Sequence, residues 1–313
     1  MSLSIKATVL LILFCFPIRA VAFQDIITSD QEADIVDSLD AFIANSGKCD
    51  HYAVAIDFTC WDLEGSAIGI PVGLSGEVLI CLNEKEKFRR VTNRREVINA
   101  GESVELPWRT EFRRKGLITT LVPSGEERAN SISFLSKFDP FEMSVGTYDA
   151  ICEGICDAGY LVSSVDVEKT VWCNADTKSN LTFIFQRWPD CQERITFSKK
   201  QGGMPVKTST RLAIDNKTKR QRVSKDRRDY NFLLSDTNCQ WSKFEDIWVP
   251  TWIQMDRVYG DESTATKRRF EFELRWVLGA ALEKIDPKKI ERPDVKIEPL
   301  LFNEIRSAAV VGP

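Results

Sequence analysis

Polar and apolar residues alternate most strictly in "KRRFEFELRWVL", residues 267 to 278. Phe270, Phe272, Leu274, Trp276 and Leu278 share one face, and Arg269, Glu271, Glu273 and Arg275 share the other. A period of two describes a strand buried on one side. An earlier stretch keeps helical spacing instead. In "SDQEADIVDSLDAFIANSG", Ile35, Val36, Leu39, Phe42 and Ile43 form one stripe, with Asp34, Asp37 and Asp40 outside it. Ser29, with Glu32 three residues on, reads as a capping box, and Gly47 reads as the stop.

From Tyr52 to Leu278 most segments read as strands. "YAVAIDFTCW", "GEVLICLNEKEKFRRVTN", "WRTEFRRKGLITTLV", "NLTFIFQRWPDCQERITFSKK", "MPVKTSTRLAIDN" and "DIWVPTWIQMDRVYG" are rich in β-branched and aromatic residues and are punctuated by Gly, Pro, Asn and Asp. Neighbouring runs read as hairpins, which predicts a largely antiparallel sheet. Residues 136–161, broken by Pro140, Gly146, Gly154 and Gly159, read as a loop with short helical turns. Residues 286–313 carry Pro287, Pro293 and Pro299 and read as an extended tail. The predicted class is mainly β with an N-terminal helix. Residues 23–47 form a helical segment packing on a curved antiparallel sheet, or incomplete barrel, within residues 48–285.

The N-terminus changes where such a fold would work. "MSLSIKATVLLILFCFPIRAVAF" has a basic start at Lys6, an apolar run from Ala7 to Phe16 and a small-x-small site at Ala20-Val21-Ala22. That pattern is a secretory signal over residues 1–22, and its apolar run is too short to span a bilayer, which takes roughly 20 residues. A secreted or periplasmic chain is expected. Loss of Lys6 and Arg19 moves the formal charge from −4 to −6. A mildly acidic chain is not expected to bind nucleic acid.

Export also changes the reading of the cysteines. Cys15 leaves with the signal, and Cys49, Cys60, Cys81, Cys152, Cys156, Cys173, Cys191 and Cys239 remain as disulfide candidates of unassigned pairing. Cys152 and Cys156 would share a helical face, but with His51 the only histidine no metal site is expected. Cys49 and His51 point the same way along a strand without forming a recognisable thiol–imidazole pair. Gly73 to Gly76 lacks nucleophile-elbow spacing, and its neighbours read as a turn. Neither a P-loop nor a GxGxxG motif is present, so no cofactor is expected.

Two acids would suffice for a glycosidase, yet 46 acids offer no unique pair, and Glu271 and Glu273 alternate with Arg269 and Arg275 as a solvated ladder would. The segment Lys217–Arg228 has one acid among seven basic residues. It is either a solvated hairpin tip or a contact for an anionic partner. Asn180 and Asn216 begin glycosylation sequons. Inward-facing aromatics have two readings, a filled core or the lining of an apolar cavity. On the second, Phe270, Phe272, Leu274 and Trp276 are the candidate ligand-binding residues.

The helix at Ser29 to Ser46, the strand at Tyr52 to Thr59, and the closing "WVPTWIQMDRVYG", "RRFEFELRWVL" and "IDP" together resemble the outer-membrane lipoprotein carrier family, the LolA-like proteins. The resemblance implies an incomplete barrel with a helical lid over an apolar cavity. It departs from this chain in the eight cysteines, the 136–161 segment and the proline-bearing tail. Three functions stay open: noncatalytic binding of a lipid or other apolar ligand, a structural or protein-interaction role in the envelope, and a carboxylate-dependent hydrolase. A lipid or an envelope protein is the expected partner.

N-terminal sequencing of the exported protein is expected to start at Phe23. Recovery of intact residues 1–22 in a membrane fraction would refute the signal assignment.

Overall fold

The computed structural model describes residues 27–64, 73–99, 102–115, 117–121, 127–129, 139–143, 165–175, 179–214, 230–259, 266–291 and 298–313. The signal, nearly all of 136–161 with Cys152 and Cys156, the basic segment Lys217–Arg228 and Asn216 lie outside them. A helix, α1 (Ser29–Lys48), precedes the strands β1 (His51–Glu64), β2 (Gly73–Asn83), β3 (Phe88–Asn99), β4 (Glu102–Arg114), β5 (Leu117–Leu121) and β6 (Glu127–Ala129). After a four-residue helix, α2 (Pro140–Met143), come β7 (Thr170–Ala175), β8 (Asn180–Trp188), β9 (Cys191–Ser198), β10 (Met204–Leu212), β11 (Phe232–Phe244), β12 (Ile247–Tyr259) and β13 (Thr266–Val277). Two C-terminal helices follow, α3 (Pro287–Glu291) and α4 (Glu298–Ala308).

All thirteen strands form one curved antiparallel sheet in the order β6-β5-β4-β3-β2-β1-β13-β12-β11-β10-β9-β8-β7, not closed into a barrel. Every hairpin of the sequence reading therefore pairs neighbours, and one further pairing joins first strand to last. In that pairing Val54 lies opposite Trp276, Ile56 opposite Leu274 and Phe58 opposite Phe272. Phe270, Phe272, Leu274 and Trp276 have no exposed surface. They share the concave face with Tyr52, Val54, Ile56 and Phe58, and α1 lies across its β7–β12 half.

The helix differs from its sequence reading in phase. Thr28, one residue before Ser29, is the N-cap, and its partner in the capping box is Gln31. Ile35, Leu39, Phe42 and Asn45 are buried, while Val36 and Ile43 are exposed. The i, i+4, i+7 set is narrow because the helix meets the sheet along a line. Gly47 does not stop the helix, which ends at Lys48 and is capped by Cys49.

Two further expectations are corrected. The central strands are apolar on both faces, since Ala53, Ala55, Leu79 and Val277 form a second, convex cluster with Leu301, Phe302 and Ile305 of α4. Small alanines there leave room for a helix that bulky residues would hold off. The tail is accordingly helical rather than extended. Pro287 and Pro299 sit in the first turns of α3 and α4, where the missing N–H is no loss. Gly73–Gly76 forms the start of β2: a Cβ at Gly76 would stand 2.6 Å from the Phe58 ring, so the glycine makes space for an aromatic on the next strand.

Charge fixes α4 in place. Register aligns Glu273, Asp57 and Glu77 side by side on the convex face. Adjacent like charges repel. Arg306 of α4 bridges Asp57 and Glu77, Arg275 pairs with Asp57 and, at 2.9 Å, with Glu273, and Arg94 reaches Glu77 at 3.0 Å. The ladder of alternating charges expected for β13 thus exists but is completed by a helix. The fully buried Arg90 donates to the carbonyls of Lys289 and Ile290 at 2.9 and 3.1 Å, tying the end of α3 to β3.

Phe272→Ala is expected to cost roughly 3–5 kcal/mol in denaturant unfolding, the range for truncating a buried Phe. Glu273→Ala, on an exposed side chain, is expected within about 0.5 kcal/mol. Equal small effects would contradict the burial of Phe272 beside the exposure of Glu273.

Candidate functional site

The concave face is the site toward which the chain converges. Pro250 gives β12 no N–H at that position, and the ladder between β12 and β13 starts only at Trp252 opposite Glu273. Above it the two strands are joined by side chains and termini. Trp276 donates its indole N–H to the Pro250 carbonyl at 2.7 Å. The Trp276 backbone pairs instead with Val310 and Val311, each at 2.8 Å. On the other lip, Asn45 of α1 donates to the Trp248 carbonyl at 2.7 Å and accepts from its N–H at 2.8 Å. One amide thus does for β12 what a neighbouring strand would do.

Asn45 also explains how α1 is held. At its far end Gln31 donates to the Cys173 carbonyl of β7 at 3.2 Å, and Lys48 pairs with Asp246 at 2.9 Å. Polar contacts at both ends set the helix's direction, and the Ile35–Leu39–Phe42 face fills the span between them. Beneath the helix Phe42 meets Trp241 edge-on at 6.0 Å between centroids.

The segment before β7 also enters this face. Asp139 accepts from the Phe141 N–H at 2.8 Å and sets the start of α2. Phe141 is 3% exposed and lies 6.3 Å from Trp241 and 5.5 Å from Trp276, centroid to centroid. This part of the expected loop is therefore an inserted plug. Phe270 and Phe272 stack at 6.4 Å, and Phe58 lies 6.1 Å from Phe272. All four candidate ligand-binding residues come together in one packed layer.

Farther across the sheet the same face becomes polar. One row of partners runs Trp276, Val54, Ile80, Val91, Glu111, Thr120, and the next runs Leu274, Ile56, Val78, Asn93, Arg109. Glu111 is 2% exposed and pairs with Arg109 at 2.7 Å. Asn93 and Thr120 are also buried. Arg89 joins them from beside Leu82, near enough to Tyr52 to act on its phenol, which burial keeps protonated well above the ordinary range. Register places Arg109 and Arg113 on the concave face and Phe112 on the other, because Phe112 pairs with Arg90 on the convex side.

The cysteines and the histidine separate. Cys49, Cys60, Cys81, Cys173, Cys191 and Cys239 are buried and not disulfide-bonded, so the expected bridges do not form among the described residues. Register explains it: Cys60 faces Leu74 and Phe270, while Cys81 faces Ala53 and Arg90 on the opposite side of the sheet. Each behaves as a small apolar residue. Burial, helped by Asp139 and Asp50, pushes the Cys49 thiol up to about 12. Burial raises Cys173 to about 11 and, with Glu193, Cys191 to about 12. Thiols held protonated are poor nucleophiles. His51 is exposed while Cys49 is buried, so they form no catalytic pair.

No family model and no curated protein matches the chain. Among solved structures it is similar to a DUF1329 family protein from Desulfovibrio piger, with a TM-score of 0.40 and 10% identity over 82% of this chain and 97% of that one. It is also similar to a putative outer membrane lipoprotein-sorting protein domain from Vibrio parahaemolyticus, with a TM-score of 0.35 and 9% identity over 82% of this chain and 100% of that one. A third is the Pseudomonas aeruginosa MucA/MucB complex, at 0.23 and 8% over 76% and 94%. The second belongs to the class the sequence resembles. Likenesses this distant carry no functional argument, which rests on the residues themselves. No helix among the described residues is long and apolar enough to cross a membrane.

Thiol titration in denaturant without reductant is expected to count at least the six described cysteines, with little alkylation of the native protein at mildly alkaline pH. Fast native labelling of Cys49 would contradict its burial.

Proposed function

We propose that this is a noncatalytic envelope protein that binds a lipid or other amphiphile on its concave face. One observation carries the reading: a single row of that face passes from Trp276, Val54 and Ile80 to the buried Glu111 and Thr120. An interior built only for stability has little use for an Arg109–Glu111 pair beside an apolar layer, because burying charge costs more than burying hydrocarbon. An amphiphile needs both environments next to each other. Phe270, Phe272, Leu274 and Trp276 supply the floor for its apolar part, and the Arg89–Asn93–Arg109–Glu111 group supplies the polar end.

Phe141 supports the same reading. It enters from a four-residue helix and occupies the space between Trp241 and Trp276 that an acyl chain would take. In this account the ligand displaces Phe141 while α1, fixed at both ends, stays in place. The N-terminal signal pattern supports an envelope location.

Mass spectrometry of the protein purified from its native compartment is expected to find a reproducible copurifying lipid. In the recombinant protein, Phe141→Ala should raise uptake of a fluorescent fatty-acid probe severalfold, and Phe272→Ala should lower probe retention. Absence of a lipid, together with no probe uptake by wild type or Phe141→Ala, would overturn the proposal.

A further inference from the structure

The opposite, convex face of the β7–β10 region has a pocket of about 330 Å³ that plays no part in the concave site. Its position follows from strand alternation. Phe183, Ile195 and Phe197 face the concave core, so Ile184, Arg194 and Ser209 face away from it, and Trp172 joins them opposite Ile184. One register step further, Gln192 lies between Gln186 and Arg211. Tyr230 closes one side, its hydroxyl donating to the Pro189 carbonyl at 2.9 Å and contacting the Gln186 amide.

The chemistry of the lining is selective. Ile184, Gln192 and Ser209 are nearly inaccessible and make the floor, while Arg194 and Arg211 are exposed at the rim. Arg194 lies 6.0 Å from the centre of the Trp172 ring. Among the described residues neither arginine has a carboxylate partner, and the acids nearby are already engaged. Asp236, across from Ser209, is held by Lys207 at 3.1 Å. Glu193, itself part of the lining, accepts from Thr210 at 2.9 Å and pairs with Arg187 at 3.3 Å. Two guanidinium groups therefore face the volume, while the described carboxylates of Asp236 and Glu193 are paired elsewhere.

We infer that this pocket binds an acidic sugar, a single saccharide ring carrying a carboxylate or phosphate. The arginines take the anion through charge-assisted hydrogen bonds, for which the guanidinium fork is suited. The indole of Trp172 offers a flat apolar face to the ring, and the Ser209 hydroxyl and Gln192 amide can reach its hydroxyl groups. The volume lies at the small end of ligand pockets, which suits one ring rather than a chain. Its occupant could be a free monosaccharide or the terminal unit of an acidic glycan.

Calorimetric titration of the full chain with glucuronate, glucose and inorganic phosphate tests this, and a glucuronate-terminated oligosaccharide distinguishes the two sources. Glucuronate should bind, glucose and phosphate alone should bind at least about tenfold more weakly, and the tighter of the free and oligosaccharide forms identifies the source. Arg194→Gln and Arg211→Gln should each weaken glucuronate about tenfold, the scale of one hydrogen bond to a charged group. Trp172→Ala should weaken glucuronate without altering phosphate binding. Both arginine side chains are exposed, so those variants should melt at the wild-type temperature. No glucuronate binding, or binding unchanged in both arginine variants, would overturn the inference. Equal affinity for glucuronate and phosphate would overturn its saccharide part. Each result is independent of fatty-acid probe uptake on the concave face.

Discussion

The pairing of β1 with β13 governs the rest of the molecule. It places two strands in the middle of a wide sheet, and over their upper halves solvent reaches neither face: Ala53, Val54, Ala55, Ile56, Trp276 and Val277 are all at 0% exposure. A sheet buried on both sides needs a layer on each side. The chain supplies them from its own ends, and it supplies them crosswise. The N-terminal helix α1 covers strands of the later half, and the C-terminal helix α4 covers β1 and β13 from behind. Large side chains on the concave face and alanines on the convex face divide the available depth between the two layers.

That same central pairing creates an electrostatic difficulty and a solution. It brings Glu273 beside Asp57, which already neighbours Glu77, so three carboxylates stand in line before any cation is added. Arg306 is delivered by α4, and the helix's position is thereby fixed by charge as well as by the apolar contacts of Leu301, Phe302 and Ile305. Pro250 sets up a comparable dependence on the concave side. By ending one ladder early it leaves Trp248 and Trp276 to be satisfied by Asn45 and by the last residues of the chain.

Much of this was legible in the sequence. The period-two run at 267–278 and the hairpin punctuation pointed to the antiparallel sheet, because alternation is a local signal. The second face of β1 was not legible: "YAVAIDF" alternates large and small apolar residues rather than apolar and polar ones, and alanine is equally at home under a helix or at a surface. The tail was misread because proline breaks a helix in its interior but starts one in its first turn, and only the structure says which position Pro299 holds. Six of the cysteines were read from their expected compartment, whereas their burial depends on register. The polar sector of the concave face was hidden for the same reason, since only the pairing of β3 with β4 sets Val91 beside Glu111 and Asn93 beside Arg109. The convex pocket draws on four strands, and no window of sequence contains it.

The strand order also determines when the molecule can become whole. Asp57 and Arg275, partners across the central pair, are 218 positions apart. Each half of the sheet can zip outward through local hairpins, but the seam between the halves closes only after the last strand exists. Contacts of such separation form slowly. Until then β1 and β13 are both bare edges, apolar on both faces over part of their length and open to pairing with strands of other chains. A chain truncated before β13 would therefore have hairpins in abundance and no centre, and would be a better substrate for chaperones and proteases than a shorter version of the same protein.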